Sequence, residues 1–275
     1  MEPKESSPKP ASLLDRLRSQ VTGKQPNRYA TVLILGRSGS GKTMLASTAP
    51  GVKYVLSLDP SGWVAPELLK AEKDGDLIIE RKYETAGLRV EREDFIRELY
   101  NHIVGLARNG TFKEIDTFII DSITQIGLLM EAKLRVELKT SKGIENLRPQ
   151  DWGQYLQYYT QLMHLVCSLP CNVLLTGHLS PTYVTDQKTG ERQLISFDLA
   201  VSGKSQDLVP AQVTEIYAIE RNGSAVRLLR QPASRYPLLK SRLSGKQNLP
   251  PLLNPDLATI FNEMNLTINT KQQTQ

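Results

Sequence analysis

Gly36, Arg37, Ser38, Gly39, Ser40, Gly41, Lys42 and Thr43 follow one another without a break, a glycine, four residues, then Gly-Lys-Thr. That spacing suits the holding of phosphate. Glycines let the backbone curl until several N–H groups converge on phosphate oxygens, and the start of a following helix adds its positive end. Lys42 can reach the β- and γ-phosphates as a point charge, and the Thr43 hydroxyl can ligate Mg²⁺. A Gly/Ser-rich turn that matches by chance is the competing explanation. The apolar run Thr31–Leu35 leads into the loop and a helix-compatible segment leaves it, which favours the phosphate site.

Asp121 is the second candidate. It closes the run Thr117-Phe118-Ile119-Ile120, so it is expected at the C-terminal edge of a buried strand, where open α/β sheets place their ligands. There it could hold Mg²⁺ opposite Thr43. Asp59 follows another apolar run, Val52–Leu58, and could orient or deprotonate an attacking water. Asp59-Pro60-Ser61-Gly62 is equally good turn chemistry, and both readings stay open. His178 ends the run Asn172–Gly177, where it could sense a γ-phosphate or be a satisfied structural histidine. Lys240 and Arg242 alternate along an extended stretch and so face one side. Two cations there want an anion, such as a neighbouring subunit's triphosphate, or else solvent.

The elements that must position these groups alternate. Strands are expected at Thr31–Leu35, Val52–Leu58, Leu77–Ile79, Thr117–Asp121 and Asn172–His178. Helices are expected after the phosphate loop until Pro50, over 92–108, over 122–139, and from an Asp151 cap until Pro170. A β-hairpin follows at Thr182–Thr185 and Arg192–Phe197, then strands at Ile216–Glu220, Ala225–Leu229 and Leu238–Lys240, and a short helix started by Asn254-Pro255-Asp256. Strand–helix alternation predicts an α/β fold, a largely parallel central sheet flanked by helices, with a β-hairpin extension. Residues 1–27 read as an N-terminal extension, with Leu13, Leu14 and Leu17 on one side of a short helical stretch. Residues 28–264 read as the domain, and 265–275 as a polar tail.

The 275 residues are 40% hydrophobic, enough for one large core. No run is long enough to span a membrane, and the start lacks a secretory signal, so a cytoplasmic protein is expected. Cys167 and Cys171 are expected to be packing residues in a reducing compartment. The net charge of +5 permits an anionic partner without demanding one.

Together GRSGSGKT (Gly36–Thr43), FIIDSIT (Phe118–Thr124), DWGQY (Asp151–Tyr155), NVLLTGH (Asn172–His178) and KSR (Lys240–Arg242) resemble the RecA-like P-loop ATPases. Nearest in pattern are the small phage-encoded members, AAA-domain nucleotide-binding proteins that accompany single-strand annealing and recombination. The resemblance covers about Arg28 to Glu263. It implies ATP and Mg²⁺ bound between subunits of a ring or filament, hydrolysis there, His178 as γ-phosphate sensor, and Lys240 and Arg242 acting in trans. Relatives carry Glu where this chain has Asp59, a side chain one methylene shorter. The resemblance also implies single-stranded DNA as partner, met by Lys139–Arg148 and Ser202–Gln206, where Lys139, Lys142, Arg148 and Lys204 could neutralise phosphates and Trp152 and Tyr155 lie close by. Solvated charged loops would look the same. A single-strand-binding protein or a helicase would be a further partner, and a phage origin would put the chain in the host cytoplasm. No Asn-Lys-x-Asp guanine-reading motif is present, so ATP is preferred over GTP. Two rival functions fit the same residues: a nucleotide switch or assembly factor, such as a helicase loader or packaging accessory, and a small-molecule phosphotransferase.

Overall fold

The computed structural model describes residues 28–60, 62–89, 94–142, 147–243 and 248–269. The expected stretch at 11–20 and Lys142's side chain lie outside the described residues, as does Ser61. Strands β1 (Thr31–Gly36), β2 (Lys53–Ser57), β3 (Leu77–Glu80), β4 (Thr117–Asp121), β5 (Asn172–Thr185), β6 (Arg192–Leu199), β7 (Glu215–Asn222), β8 (Ala225–Leu229) and β9 (Leu252–Leu253) join in the order β3-β2-β4-β5-β1-β7-β8-β9, with β6 on β5. From β3 to β7 all neighbours are parallel, whereas β8, β9 and β6 pair antiparallel. This is the expected α/β fold with its hairpin extension.

Helices α1 (Lys42–Ser47), α2 (Pro66–Lys73), α3 (Ala86–Arg89), α4 (Phe95–Arg108), α5 (Ile123–Lys142), α6 (Asp151–Cys167), α7 (Ser205–Gln212) and α8 (Leu257–Glu263) complete the described chain. Side chains alternate across each strand, so a sheet covered on both faces needs apolar residues at consecutive positions. Leu33, Leu35, Leu56, Ile120 and Leu175 face one layer with Leu99, Ile103, Met130 and Tyr159. Val32, Ile34, Val55, Ile119 and Leu174 face the other with Leu45, Leu257, Ile260 and Phe261. Each such fully buried aliphatic side chain contributes about 1.5–3 kcal/mol of transfer free energy.

Several sequence expectations need correction. β5 does not stop at His178; it runs on as one strand into the hairpin. Leu238–Lys240 is no strand: only Lys240 bridges Ile216. Helix α5 reaches Lys142, so the start of the polar stretch at Lys139 is helical, and Ser205 opens α7 within the second expected loop. Asp151 does not cap α6. Its carboxylate accepts from the Arg148 backbone at 2.8 Å and from the Arg148 guanidinium at 3.2 Å. α4 begins at Phe95, because the Asp94 carboxylate accepts from the Arg97 N–H and caps it there. Packing also runs past residue 264: the Asn269 amide is buried and donates to the carbonyls of Phe112, Ile115 and Pro170.

Among the described residues no helix is long and apolar enough to cross a membrane. Both cysteines are free thiols, and burial pushes Cys171 up to about 12.

Candidate phosphate and metal site

The parallel register sets the site. Gly36 at the end of β1 lies opposite His178 on β5, and Ser57 at the end of β2 lies opposite Asp121 on β4. Because β5 and β4 follow β1 in the sheet, Asp121 stands two strands from the phosphate loop, roughly 10 Å away at ordinary spacing. Lys42 and Thr43, which begin α1, close that gap.

Gly36 cannot carry a side chain here. A Cβ would collide with the Ser40 hydroxyl and stand 2.7 Å from the Ile219 side chain. Gly41, at φ 99°, occupies a left-handed conformation that L side chains rarely adopt. Ser40 is buried, and its hydroxyl has no hydrogen-bond partner among the described residues. Buried hydroxyls ordinarily find one, so the loop presents a donor for a group it does not itself contain.

The Lys42 ammonium donates to the carbonyl oxygens of Gly36 at 3.0 Å and Arg37 at 3.1 Å, and stands 3.5 Å from His178 Nδ1. Burial lowers its pKa, while the carboxylates of Asp121 and Asp59 raise it. Loop carbonyls are poor compensation for a desolvated cation; phosphate oxygens are better. The Thr43 hydroxyl donates to Asp121 Oδ2 at 2.9 Å, and the Thr176 hydroxyl donates to Asp121 Oδ1. Thr43 and Asp121 are thus already side by side, a hydroxyl and a carboxylate suited to share a hard, oxygen-seeking divalent ion.

His178 is held by its backbone: its N–H donates to the Thr124 hydroxyl at 2.9 Å, and its carbonyl accepts from Ala200. Burial first, then the Lys42 charge, lowers its pKa below the ordinary 6.5, against the pull of Asp121 and Asp59. Of the two readings left open by the sequence, the structure shows the turn at Asp59. Its carbonyl accepts from Gly62 N at 3.1 Å, which makes the turn. Its carboxylate meanwhile is close enough to act on both Lys42 and His178.

Lys42, Thr43, Asp59, Asp121 and His178 are therefore brought together, with the backbone of Gly36–Gly41 around them. Lys240 and Arg242 are not. Lys240 pairs with Ile216, beside Leu33 and away from the Gly36 end of β1, and its ammonium donates to the Pro210 carbonyl at 2.5 Å. Arg242 is exposed near Arg28 and Tyr29, at the opposite edge of the sheet. Neither can serve the phosphate loop of its own chain. Lys139 and Lys204 are exposed, while Arg148 is engaged with Asp151.

Sequence reasoning missed Thr176, Thr124 and Glu84. Thr176 and Thr124 fix Asp121 and His178, and Glu84 accepts from the Ser57 hydroxyl at 2.6 Å. A buried threonine directly after the apolar run Val173–Leu175 was a readable signal for the first; Glu84 had none.

Among the described residues no group of three or more His, Cys, Asp or Glu is arranged to hold a metal. A family model described as an AAA domain matches residues 28–242. No curated protein matches the chain. Among solved structures, the flagellar accessory protein FlaH from Methanocaldococcus jannaschii is similar at 12% identity and a TM-score of 0.42, over 88% of this chain and 92% of that one. So remote a likeness says nothing of what this chain does.

Proposed function

The chain belongs to the AAA-domain family, a P-loop nucleotide-binding domain by its matched residues and its loop, and from that premise we propose that it is a Mg²⁺-dependent ATPase acting on single-stranded DNA in recombination, annealing or replication. The observation that carries the hydrolytic part is the convergence of Lys42, Thr43, Asp121, Asp59 and His178 at one sheet edge. Mg²⁺ held by Thr43 and Asp121 would neutralise charge on the phosphates. Lys42 leaves its loop carbonyls for phosphate oxygens. Asp59 takes the proton of the attacking water, and His178 follows the γ-phosphate through its ring nitrogen.

Lys240 and Arg242 lie away from their own loop, so this reading includes a homo-oligomer, ring or filament, in which these two cations of one subunit meet the phosphates of the next. Support for DNA is the net charge of +5 and the exposure of Lys139 and Lys204. Arg148 would have to exchange Asp151 for a DNA phosphate.

The test is Mg²⁺-dependent ATP hydrolysis with and without single-stranded DNA, with Lys42→Ala as control. Stimulation by DNA that Lys42→Ala abolishes is the expected result. Tight ATP binding without hydrolysis or DNA response would overturn it in favour of a nucleotide switch or assembly factor, which the short Asp59 side chain would explain.

A further inference from the structure

Asp59 stands just past the end of β2, and an aspartate side chain has few torsions of its own. Its carboxylate therefore goes where the backbone puts it. Granted the proposed hydrolysis, in which Asp59 takes a proton from water, turnover needs that placement held to about 0.5 Å. Two backbone bonds hold it. The Leu58 N–H donates to the Asp121 carbonyl at 2.7 Å, and the Gly62 N–H donates to the Asp59 carbonyl at 3.1 Å. Gly62 also lies against the metal-site carboxylate, since a Cβ there would stand 3.4 Å from Asp121 Oδ2.

Ser57 brings a competitor for the same carbonyl. It is fully buried and its backbone is fixed by the ladder with β4, so only its hydroxyl is left to choose a direction. That hydroxyl has one proton to give. Two acceptors lie within reach, Glu84 Oε1 at 2.6 Å and the Asp59 carbonyl at 3.3 Å. The nearer one is a carboxylate and the stronger acceptor, so the proton goes to Glu84. The contact with the Asp59 carbonyl stays longer than about 3.0 Å, the usual limit for a bond between oxygens.

Glu84 is held in place for this. It sits on the short 3₁₀ turn Lys82–Thr85 that follows β3. Beside it Tyr83 is fully buried, edge-on to Phe95 and His102. Arg81 grips Glu72 of α2 at 2.6 and 2.8 Å and reaches the Trp63 carbonyl at 3.5 Å, beyond the far end of the Asp59 turn. Among the described residues the carboxylates that act on Lys42 and His178 are those of Asp59 and Asp121. Glu84 thus works through a neighbour and not on the phosphates.

We propose that Glu84 is a positioning residue for Asp59: by taking the Ser57 proton it keeps that hydroxyl off the Asp59 carbonyl. Without Glu84 the hydroxyl turns to this carbonyl and the contact shortens to about 2.8 Å. The Asp59 backbone then shifts by roughly half an ångström, enough to slow proton transfer about tenfold.

Steady-state ATP hydrolysis on the full chain tests this with Glu84→Ala, Glu84→Gln and the double variant Glu84→Ala/Ser57→Ala. Glu84→Ala should lose about tenfold in kcat with KM unchanged. Glu84→Gln, whose amide oxygen still accepts, should stay near wild type. The double variant should recover most of the loss, because no hydroxyl remains to pull on the carbonyl; a Glu84 that merely held the fold would show no such rescue. In an Asp59→Asn background, Glu84→Ala should cost nothing more. Amide exchange at Gly62 follows the same turn without nucleotide; it should quicken in Glu84→Ala and slow again in the double variant. Unchanged kcat in Glu84→Ala, or a double variant no faster than Glu84→Ala, would overturn the proposal and leave the ATPase reading standing. If the wild type hydrolyses nothing, the ATPase reading falls instead, and the Gly62 exchange decides alone whether Glu84 governs the turn.

Discussion

Thr43 and Asp121 lie 78 residues apart in sequence, yet the threonine hydroxyl donates to Asp121 Oδ2 at 2.9 Å. The second carboxylate oxygen is held by Thr176, so Asp121 is aimed by two strands and a helix at once. Asp121→Asn keeps an acceptor for Thr43 but removes the charge that a divalent ion needs. Its ATP hydrolysis should fall about a hundredfold and the Mg²⁺ requirement should rise, while the fold persists. A Mg²⁺ titration of turnover alongside a circular-dichroism melt checks this. An unchanged Mg²⁺ midpoint would remove Asp121 from the metal site.

Lys42 is buried at a cost, because its partners are two loop carbonyls and burial lowers its pKa. Lys42→Ala should abolish measurable hydrolysis and weaken ATP binding at least about tenfold. Its thermal stability should equal or exceed that of the wild type, since an imperfectly paired buried charge is removed. A clearly lower melting temperature would mean that the lysine holds the loop together instead.

The phosphate loop and Asp121 were legible because both are short motifs tied to strand ends. The run Thr117–Asp121 even has the observed bounds. Strand order was not legible, since periodicity says which residues are buried and nothing about which neighbour they pair with. For this reason Thr124 and Thr176, which act across strands, escaped notice. Helix α2 was missed because only Leu68 of its residues is buried, which leaves little apolar pattern to read. The stretch Leu238–Lys240 was misread as a strand: one bridge from Lys240 to Ile216 straightens the backbone without making a ladder.

His178 gives a pH dependence of known sign. Its folded pKa lies below the ordinary 6.5, so the unfolded chain binds more protons in that window. Folding stability should therefore be full above pH 6.5 and decline as pH falls through the folded value. His102, also lowered chiefly by burial, acts in the same direction. Urea melts from pH 7.5 down to about 5 should show a shallower decline in His178→Gln than in wild type, though not a flat one. Identical slopes would show that His178 carries no such shift.

Asp59 can be tested by separating binding from turnover. Asp59→Asn should bind ATP as well as wild type or better, because a negative charge beside the phosphates is gone, while hydrolysis drops about a hundredfold. Asp59→Glu restores the longer side chain and should hydrolyse at least as fast as wild type. Should Asp59→Asn turn over normally, the residue is a turn former and nothing more, a role its carbonyl already fills with Gly62.

Arg242 and Lys240 stand at the edge of the sheet opposite the phosphate loop, so any part they play in hydrolysis must be on another subunit's nucleotide. Arg242 is exposed, and Arg242→Ala should change stability by less than about 0.5 kcal/mol. Alone it should be nearly inactive, as Lys42→Ala should be. Mixing the two variants creates interfaces in which one subunit supplies an intact loop and its neighbour an intact arginine, and turnover should return to a measurable fraction of wild type. A subunit that used its own Arg242 would gain nothing from the mixture, and silence in that experiment, with both variants folded and associated by sedimentation, would rule out action in trans.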